Sequence, residues 1–66
     1  MYTLNIYHDK KIVKSFTNQE NDFKAFEYLL RSQSHSTDWA IKYEGWRVEI
    51  INETTGEKSY YNNIKP

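Results

Sequence analysis

The stretch Trp39–Tyr61, WAIKYEGWRVEIINETTGEKSYY, decides the predicted fold. Glu44-Gly45 fits a two-residue turn, and Thr54-Thr55-Gly56 fits a three-residue loop with a left-handed glycine. Because side chains alternate along a strand, the two turns assign residues to the same pair of faces. The face predicted to be buried contains Trp39, Ile41, Tyr43, Trp46, Val48, Ile50 and Tyr60. The other face contains Asp38, Ala40, Lys42, Arg47, Glu49, Ile51, Ser59 and Tyr61. We therefore predict a three-stranded antiparallel meander.

The start of the chain predicts a second hairpin. Its first strand is indicated by three alternating apolar residues, Tyr2, Leu4 and Ile6. The returning strand is Ile12–Phe16. A three-residue loop would pair Ile6 with Ile12 and bury Phe16, which we favour, whereas a two- or four-residue loop would pair Ile6 with Val13. A slip of one residue would send every side chain to the other face.

Between the two sheet segments, Thr17–Glu20 matches the S/T-x-x-E capping box of a helix start. The predicted helix ends at Ser32 or Gln33, before a serine-rich loop. Its apolar stripe contains Phe23, Phe26, Leu29 and Leu30. The sequence thus predicts one small α+β domain over residues 1–66, an antiparallel sheet with one helix packed on one face, in the order ββαβββ.

Two resemblances to known families concern parts of the chain. The element order of the first two-thirds is similar to the hairpin–helix–hairpin order of the small immunoglobulin-binding domains of streptococcal surface proteins. A partial pattern in the last third, Trp46, Gly56, Tyr60, Tyr61 and Asn62, resembles a WW module. That module needs a second tryptophan on a third strand and a shorter gap after the first. We therefore interpret the stretch as a hairpin without a proline-peptide site.

Composition narrows the classes of function. The chain has no cysteine, and nine basic and nine acidic residues give a net charge of zero. Nucleic-acid binders usually carry a basic stripe, so a nucleic-acid partner is not favoured. The chain has neither the pattern of a signal peptide nor 18 consecutive apolar residues, so we expect no membrane partner and a cytoplasmic location in a bacterial host.

Residues that carry chemistry are scattered. His8 and His35 have no neighbouring ligands at metal spacing, so we expect no metal. Ser34-His35-Ser36 contains the residue types of nucleophilic catalysis, but three adjacent loop residues cannot form an oriented triad. Both glycines are used in turns, which leaves no phosphate-binding loop. We expect no catalytic residues, no cofactor and no enzymatic activity.

The solvent face of the meander is the predicted site. It brings together residue types common in protein interfaces, Tyr7, Lys42, Arg47, Glu49, Ile51 and Tyr61. The outer surface of the helix is the second candidate, with Lys24, Glu27, Tyr28 and Arg31. Tyrosines among lysine and arginine on a sheet also suit weak binding of single-stranded nucleic acid. A further alternative is a homodimeric assembly subunit joined through the sheet edge at Lys58–Tyr61.

The features taken together predict a small non-catalytic protein-binding module. Small size, aromatic richness and a bias toward Asn, Lys, Ile and Tyr resemble, by type only, the small host-takeover and anti-defence proteins of phages and mobile elements. This resemblance implies an inhibitor that docks on a host protein, such as a nuclease, a polymerase or a defence complex, and occludes its surface.

Overall fold

The structure of the chain is a computed structural model that describes residues 1–33 and 35–66; Ser34, assigned above to the loop, lies outside these residues. Its elements are β1 (Tyr2–His8), β2 (Lys11–Gln19), α1 (Phe23–Ser32), α2 (Thr37–Tyr43), β3 (Trp46–Asn52), β4 (Lys58–Tyr60) and a 3-10 helix at Tyr61–Asn63. The strands form one antiparallel sheet in the order β2-β1-β3-β4. The α+β class and the antiparallel sheet are confirmed, whereas the single helix and the order ββαβββ are wrong.

Both helices cover the same face of the sheet. The fully buried side chains of the core are Leu4, Ile6 and Val48 from the strands and Ala25, Leu29, Ala40 and Ile41 from the helices. The alternation read from the first strand therefore predicts its buried side correctly. Because the helices occupy one face only, no element within the described residues 1–33 and 35–66 covers the opposite face of the four strands.

The segment predicted as the first strand of the meander is helix α2. Ser36 caps this helix, since its Oγ accepts a hydrogen bond from the backbone N–H of Trp39 at 3.2 Å. Ala40 and Ile41 face the core. Trp39 and Tyr43, which the strand interpretation buried, are 48% and 68% exposed. The Glu44-Gly45 segment therefore joins a helix to β3 and is not a hairpin turn.

Helix α1 begins later and faces the core differently than predicted. Thr17–Gln19 continue β2, so the capping box is wrong, and the helix starts after Asp22 without a side-chain cap. Leu29 is fully buried, whereas Phe23 and Leu30 are each 62% exposed. The pairing of strand backbones through Gln19 outweighs a local capping signal.

In the first hairpin, Ile6 pairs with neither Ile12 nor Val13, the two partners considered above. Asp9 and Lys10 form a two-residue turn with positive φ angles of 51° and 70°, which suits the twist of paired strands. A bulge then shifts the pairing, so that Ile6 lies opposite Lys14 and Leu4 opposite Phe16. The favoured pairing of Ile6 with Ile12 is wrong, but Phe16 does pack against the core.

The second hairpin differs from its prediction by one residue. The backbone N–H of Asn52 donates to the carbonyl of Glu57 at 2.9 Å, which closes a four-residue loop in place of the three-residue one. Gly56 has the predicted left-handed conformation, with a φ of 77°. Tyr60 consequently lies opposite Glu49 and not opposite Ile50. This one-residue shift moves Tyr60 to the uncovered face of the sheet.

Candidate docking surfaces

The uncovered sheet face carries one hydrogen-bonded row that crosses all four strands. Ser15 Oγ donates to Asn5 Oδ1 at 2.7 Å, and Asn5 Nδ2 donates to Glu49 Oε1 at 2.9 Å. Tyr60 OH completes the row by donating to Glu49 Oε2 at 2.9 Å. Each residue stands opposite its neighbour in the strand pairing, so the backbone register alone aligns the row.

The carboxylate of Glu49 is the centre of this face. Glu49 is only 6% exposed, although no helix covers this side of the sheet. A longer contact of 3.5 Å joins Tyr7 OH to its Oε1. Its hydrogen-bond donors within residues 1–33 and 35–66 are therefore neutral, and the ion pairs found there involve Asp9, Glu27 and Asp38 instead.

Glu49 changes the acidity of both tyrosines. The hydrogen bond to Glu49 raises the pKa of Tyr60, and desolvation and the negative charge of Glu49 act in the same direction. For Tyr7, desolvation is the larger cause of the raised pKa, followed by the charge and the hydrogen bond of Glu49. In each case the phenolate would place a second negative charge beside a carboxylate.

We expect Tyr7 and Tyr60 to ionise above the ordinary tyrosine value of 10.0. Because the folded-state pKa is raised, the stability that these groups contribute is complete below the unfolded-state value and is lost as the pH rises through the folded one. Alkaline titration, monitored by tyrosinate absorbance, measures the ionisation midpoints of the two tyrosines. Glu49→Gln should lower both midpoints, and midpoints unchanged in that variant would contradict the assigned cause.

Only some of the predicted site residues share the sheet face. Tyr7, Glu49 and Ile51 lie there at neighbouring positions of β1 and β3. Arg47 belongs to the same strand face, but its guanidinium turns toward the end of α2, where Nη1 donates to the carbonyls of Ile41 at 2.6 Å and Trp46 at 2.7 Å. Arg47 therefore joins β3 to helix α2, and its charged group does not lie beside Glu49.

Lys42 and Tyr61 lie elsewhere. Lys42 is on α2 and forms an ion pair of 3.1 Å with Asp38. A hydrogen bond from Asn62 is the main reason that the pKa of Asp38 is lowered, with Lys42 next. Tyr61 packs edge-on against Phe26 of α1, with ring centroids 5.1 Å apart. Tyr61 thus joins α1 to the C-terminal turn and Asn62 joins that turn to Asp38 of α2, whereas the ion pair of Lys42 lies within its own helix.

Sequence reasoning missed three residues of the row, Ser15, Asn5 and Tyr60. The alternation of β1 and β2 does place Asn5 and Ser15 on the outer face, which is a usable signal. Their hydrogen-bonded contact with Glu49 requires β1 to lie between β2 and β3. The local sequence pattern does not predict this strand order. Tyr60 was assigned to the other face because of the loop length.

The predicted outer surface of α1 is only partly outward. Lys24 and Glu27 form an exposed ion pair of 3.7 Å. Tyr28, however, points to the sheet, where its ring meets Phe16 at 6.3 Å and Trp46 at 6.5 Å between centroids. Tyr28 and Phe16 line a shallow cavity together with Lys24, Glu27 and Arg31, so the aromatic ring of Tyr28 is only partly available on this surface.

A second surface, the aromatic ridge, consists of His35, Trp39 and Tyr43. The rings of Trp39 and Tyr43 lie 4.6 Å apart, one helical turn along α2, and the ring of His35 lies 5.7 Å from Trp39. Trp39 and Tyr43 keep about half or more of their surface exposed, as given above. Tryptophan and tyrosine are enriched among residues that dominate interface energetics, so this is the strongest docking feature of the helical side.

Among the described residues, the two histidines lie in separate places. His8 stacks on Trp46, whereas His35 belongs to the ridge. Ser36 Oγ is occupied as the cap of α2, and its predicted neighbour Ser34 lies outside the described residues. Across residues 1–33 and 35–66, no group of three or more His, Cys, Asp or Glu residues is placed to hold a metal ion. In the same part of the chain, no helix has the length and apolar character needed to cross a bilayer.

The fold and surfaces define a small α+β domain with one uncovered sheet face and one aromatic ridge. Comparisons with protein-family models, with curated proteins and with solved structures found no match for the chain.

Proposed function

We propose that the chain is a non-catalytic module that docks on a protein of a bacterial host and occludes part of its surface. The observation that carries this proposal is the aromatic ridge. Two large aromatic side chains of a small domain stay exposed while smaller aliphatic residues of the same helix fill the core. Binding to another protein would bury the rings that folding leaves in water, and this burial is favourable.

The distribution of charge favours a protein partner over a nucleic acid. The sheet face, which would stack bases in the alternative function, has the buried carboxylate of Glu49 at its centre. A carboxylate among the stacking tyrosines repels the phosphate backbone, and the balanced charge of the chain supplies no compensating attraction.

The ridge is tested by affinity capture from lysate followed by a binding assay with the purified captured protein. We expect Trp39→Ala combined with Tyr43→Ala to weaken that binding by at least about 30-fold, since hot-spot truncations cost about 2 kcal/mol or more. Phe23→Ala is the matched control, because Phe23 is an equally exposed aromatic residue on α1. It should leave the affinity unchanged.

One result would contradict a protein partner, and another would contradict the assignment of binding to the aromatic ridge. Capture that disappears after nuclease treatment of the lysate would show that a nucleic acid, and not a protein, is the partner. Binding that survives the double variant but is lost in Phe23→Ala would move the docking surface from α2 to α1.

A further inference from the structure

Within the part of the chain that the structure describes, no ion pair offsets the cost of burying the charge of Glu49. Removing a carboxylate from water is unfavourable, and neutral hydrogen bonds compensate it less fully than an ion pair does. Asn5, Tyr7 and Tyr60 supply only neutral donors, as described above. A glutamine at this position could accept and donate in the same row without the charge. The negative charge is therefore the feature of this face that needs an explanation beyond folding.

The two tyrosines transmit this charge to the surface. Tyr7 and Tyr60 are both partly exposed, and each uses its only hydroxyl proton toward Glu49. The oxygen of each hydroxyl can then only accept hydrogen bonds from outside. Their hydroxyl groups contact the two oxygens of the carboxylate, and tyrosine rings attract cations. The centre of the sheet face thus offers acceptors, aromatic residues and a negative charge in one place.

We propose that the uncovered sheet face binds an arginine side chain of a partner protein, with the guanidinium against Tyr7 and Tyr60 and its charge compensated by Glu49. A guanidinium is planar, stacks on aromatic rings and donates several hydrogen bonds at once, which suits two phenol oxygens beside a carboxylate. Glu53 lies at one end of this face, where Thr3 Oγ1 donates to it at 2.9 Å. The strand pairing also places Lys58 opposite Ile51 and Arg47 opposite Tyr7. The guanidinium of Arg47, however, is turned away to the carbonyls of Ile41 and Trp46 and does not neutralise Glu49.

This arginine site is separate from the aromatic ridge. The ridge lies on the helical side and the tyrosines lie on the side that no helix covers, so both surfaces can be occupied together. The inference goes beyond the proposed function and does not depend on it. A small probe tests it without the host partner, and failure of one proposal leaves the other standing.

The test uses an acetylated and amidated Gly-Arg-Gly peptide, with Gly-citrulline-Gly as the neutral control of the same shape. Nuclear magnetic resonance titration of the whole chain should show saturable shifts of the Asn5 side-chain amide and the Tyr7 and Tyr60 rings with the arginine peptide only. Glu49→Gln should weaken this binding by about tenfold or more, because it removes the charge that the guanidinium compensates. Glu53→Gln, the matched control on the same face, should retain it.

The stability of Glu49→Gln separates a binding role from a structural one. If the charge serves binding, this variant keeps or gains thermal stability while it loses the arginine peptide. Tyr60→Phe provides a second variant, which keeps the charge but removes one acceptor and should also bind more weakly. Equal shifts with the citrulline peptide, no saturable shift at all, or full binding by both variants would overturn the proposal.

Discussion

Leu29→Ala should destabilise the protein by about 2–5 kcal/mol, while Leu30→Ala should change its stability by less than about 0.5 kcal/mol. The two leucines are adjacent in α1 and lose the same atoms. Leu29 is fully buried between the sheet and α2, whereas Leu30 is 62% exposed. Because a domain of this size has a small margin of stability, the first substitution should leave much of the chain unfolded at room temperature.

Urea unfolding followed by circular dichroism measures both variants against the unchanged chain. The pair tests the orientation of α1 directly, because the stripe read from the sequence included both leucines and also Phe23. If Leu30→Ala proved as costly as Leu29→Ala, the helix would be rotated relative to the sheet, and the exposed positions of α1 would be wrong.

Trp46→Ala should cost about 3–5 kcal/mol, the range for removing a large aromatic side chain from a core. Trp46 is partly buried, stacks on His8 with ring centroids 4.2 Å apart, and meets Tyr28 edge-on. Trp39→Ala is the matched control, because it removes the same side chain from the outside of α2. It should leave the free energy of unfolding almost unchanged.

The two tryptophans can also be distinguished without large destabilisation. In Trp46→Phe the remaining fluorophore is Trp39, and iodide should quench it efficiently. In Trp39→Phe the remaining Trp46 should be less accessible to iodide. Equal quenching of the two single-tryptophan variants in the folded state would contradict the different burial of the two indoles and, with it, the exposed ridge.

The sequence predicts the strands with long alternation well. Leu4 and Ile6 of β1 and Val48 of β3 are buried as expected, because several successive residues repeat the same period and the core face follows from them. The left-handed Gly56 was also predicted from its loop. These features depend on residues close in sequence, which is why local reasoning reaches them.

Helix α2 is too short for the period of its apolar residues to distinguish a helix from a strand. Over seven residues, Trp39, Ile41 and Tyr43 alternate as in a strand, and the two residues that the helix buries, Ala40 and Ile41, are adjacent and show no helical period. The capping signals resolve the ambiguity, since Ser36 precedes Asp38 in the first turn and Lys42 lies in the last. The sequence does contain this signal, and the alternation of three large residues concealed it.

The candidate sites were harder to predict than the strands. Glu49 and Tyr7 were expected on the docking face, but Tyr60 joins them only because its loop has four residues and not three. Arg47 appears on the correct strand face, yet its long side chain reaches the end of α2. Alternation along a strand predicts the face toward which the Cα–Cβ bond points. Tertiary contacts decide the position of the terminal group of a long, flexible side chain.

The position of β1 between β2 and β3 has a consequence for synthesis on the ribosome. β1 is made before β2 and β3 and can pair with β2 as soon as the hairpin has emerged, but its other edge remains unpaired until β3 is made, whose Asn52 pairs with Tyr2. Closing this long chain segment costs more entropy than closing the hairpin does. The nascent chain therefore exposes one edge of β1 until β3 has been translated, and β4 can complete the sheet only after β3 has docked.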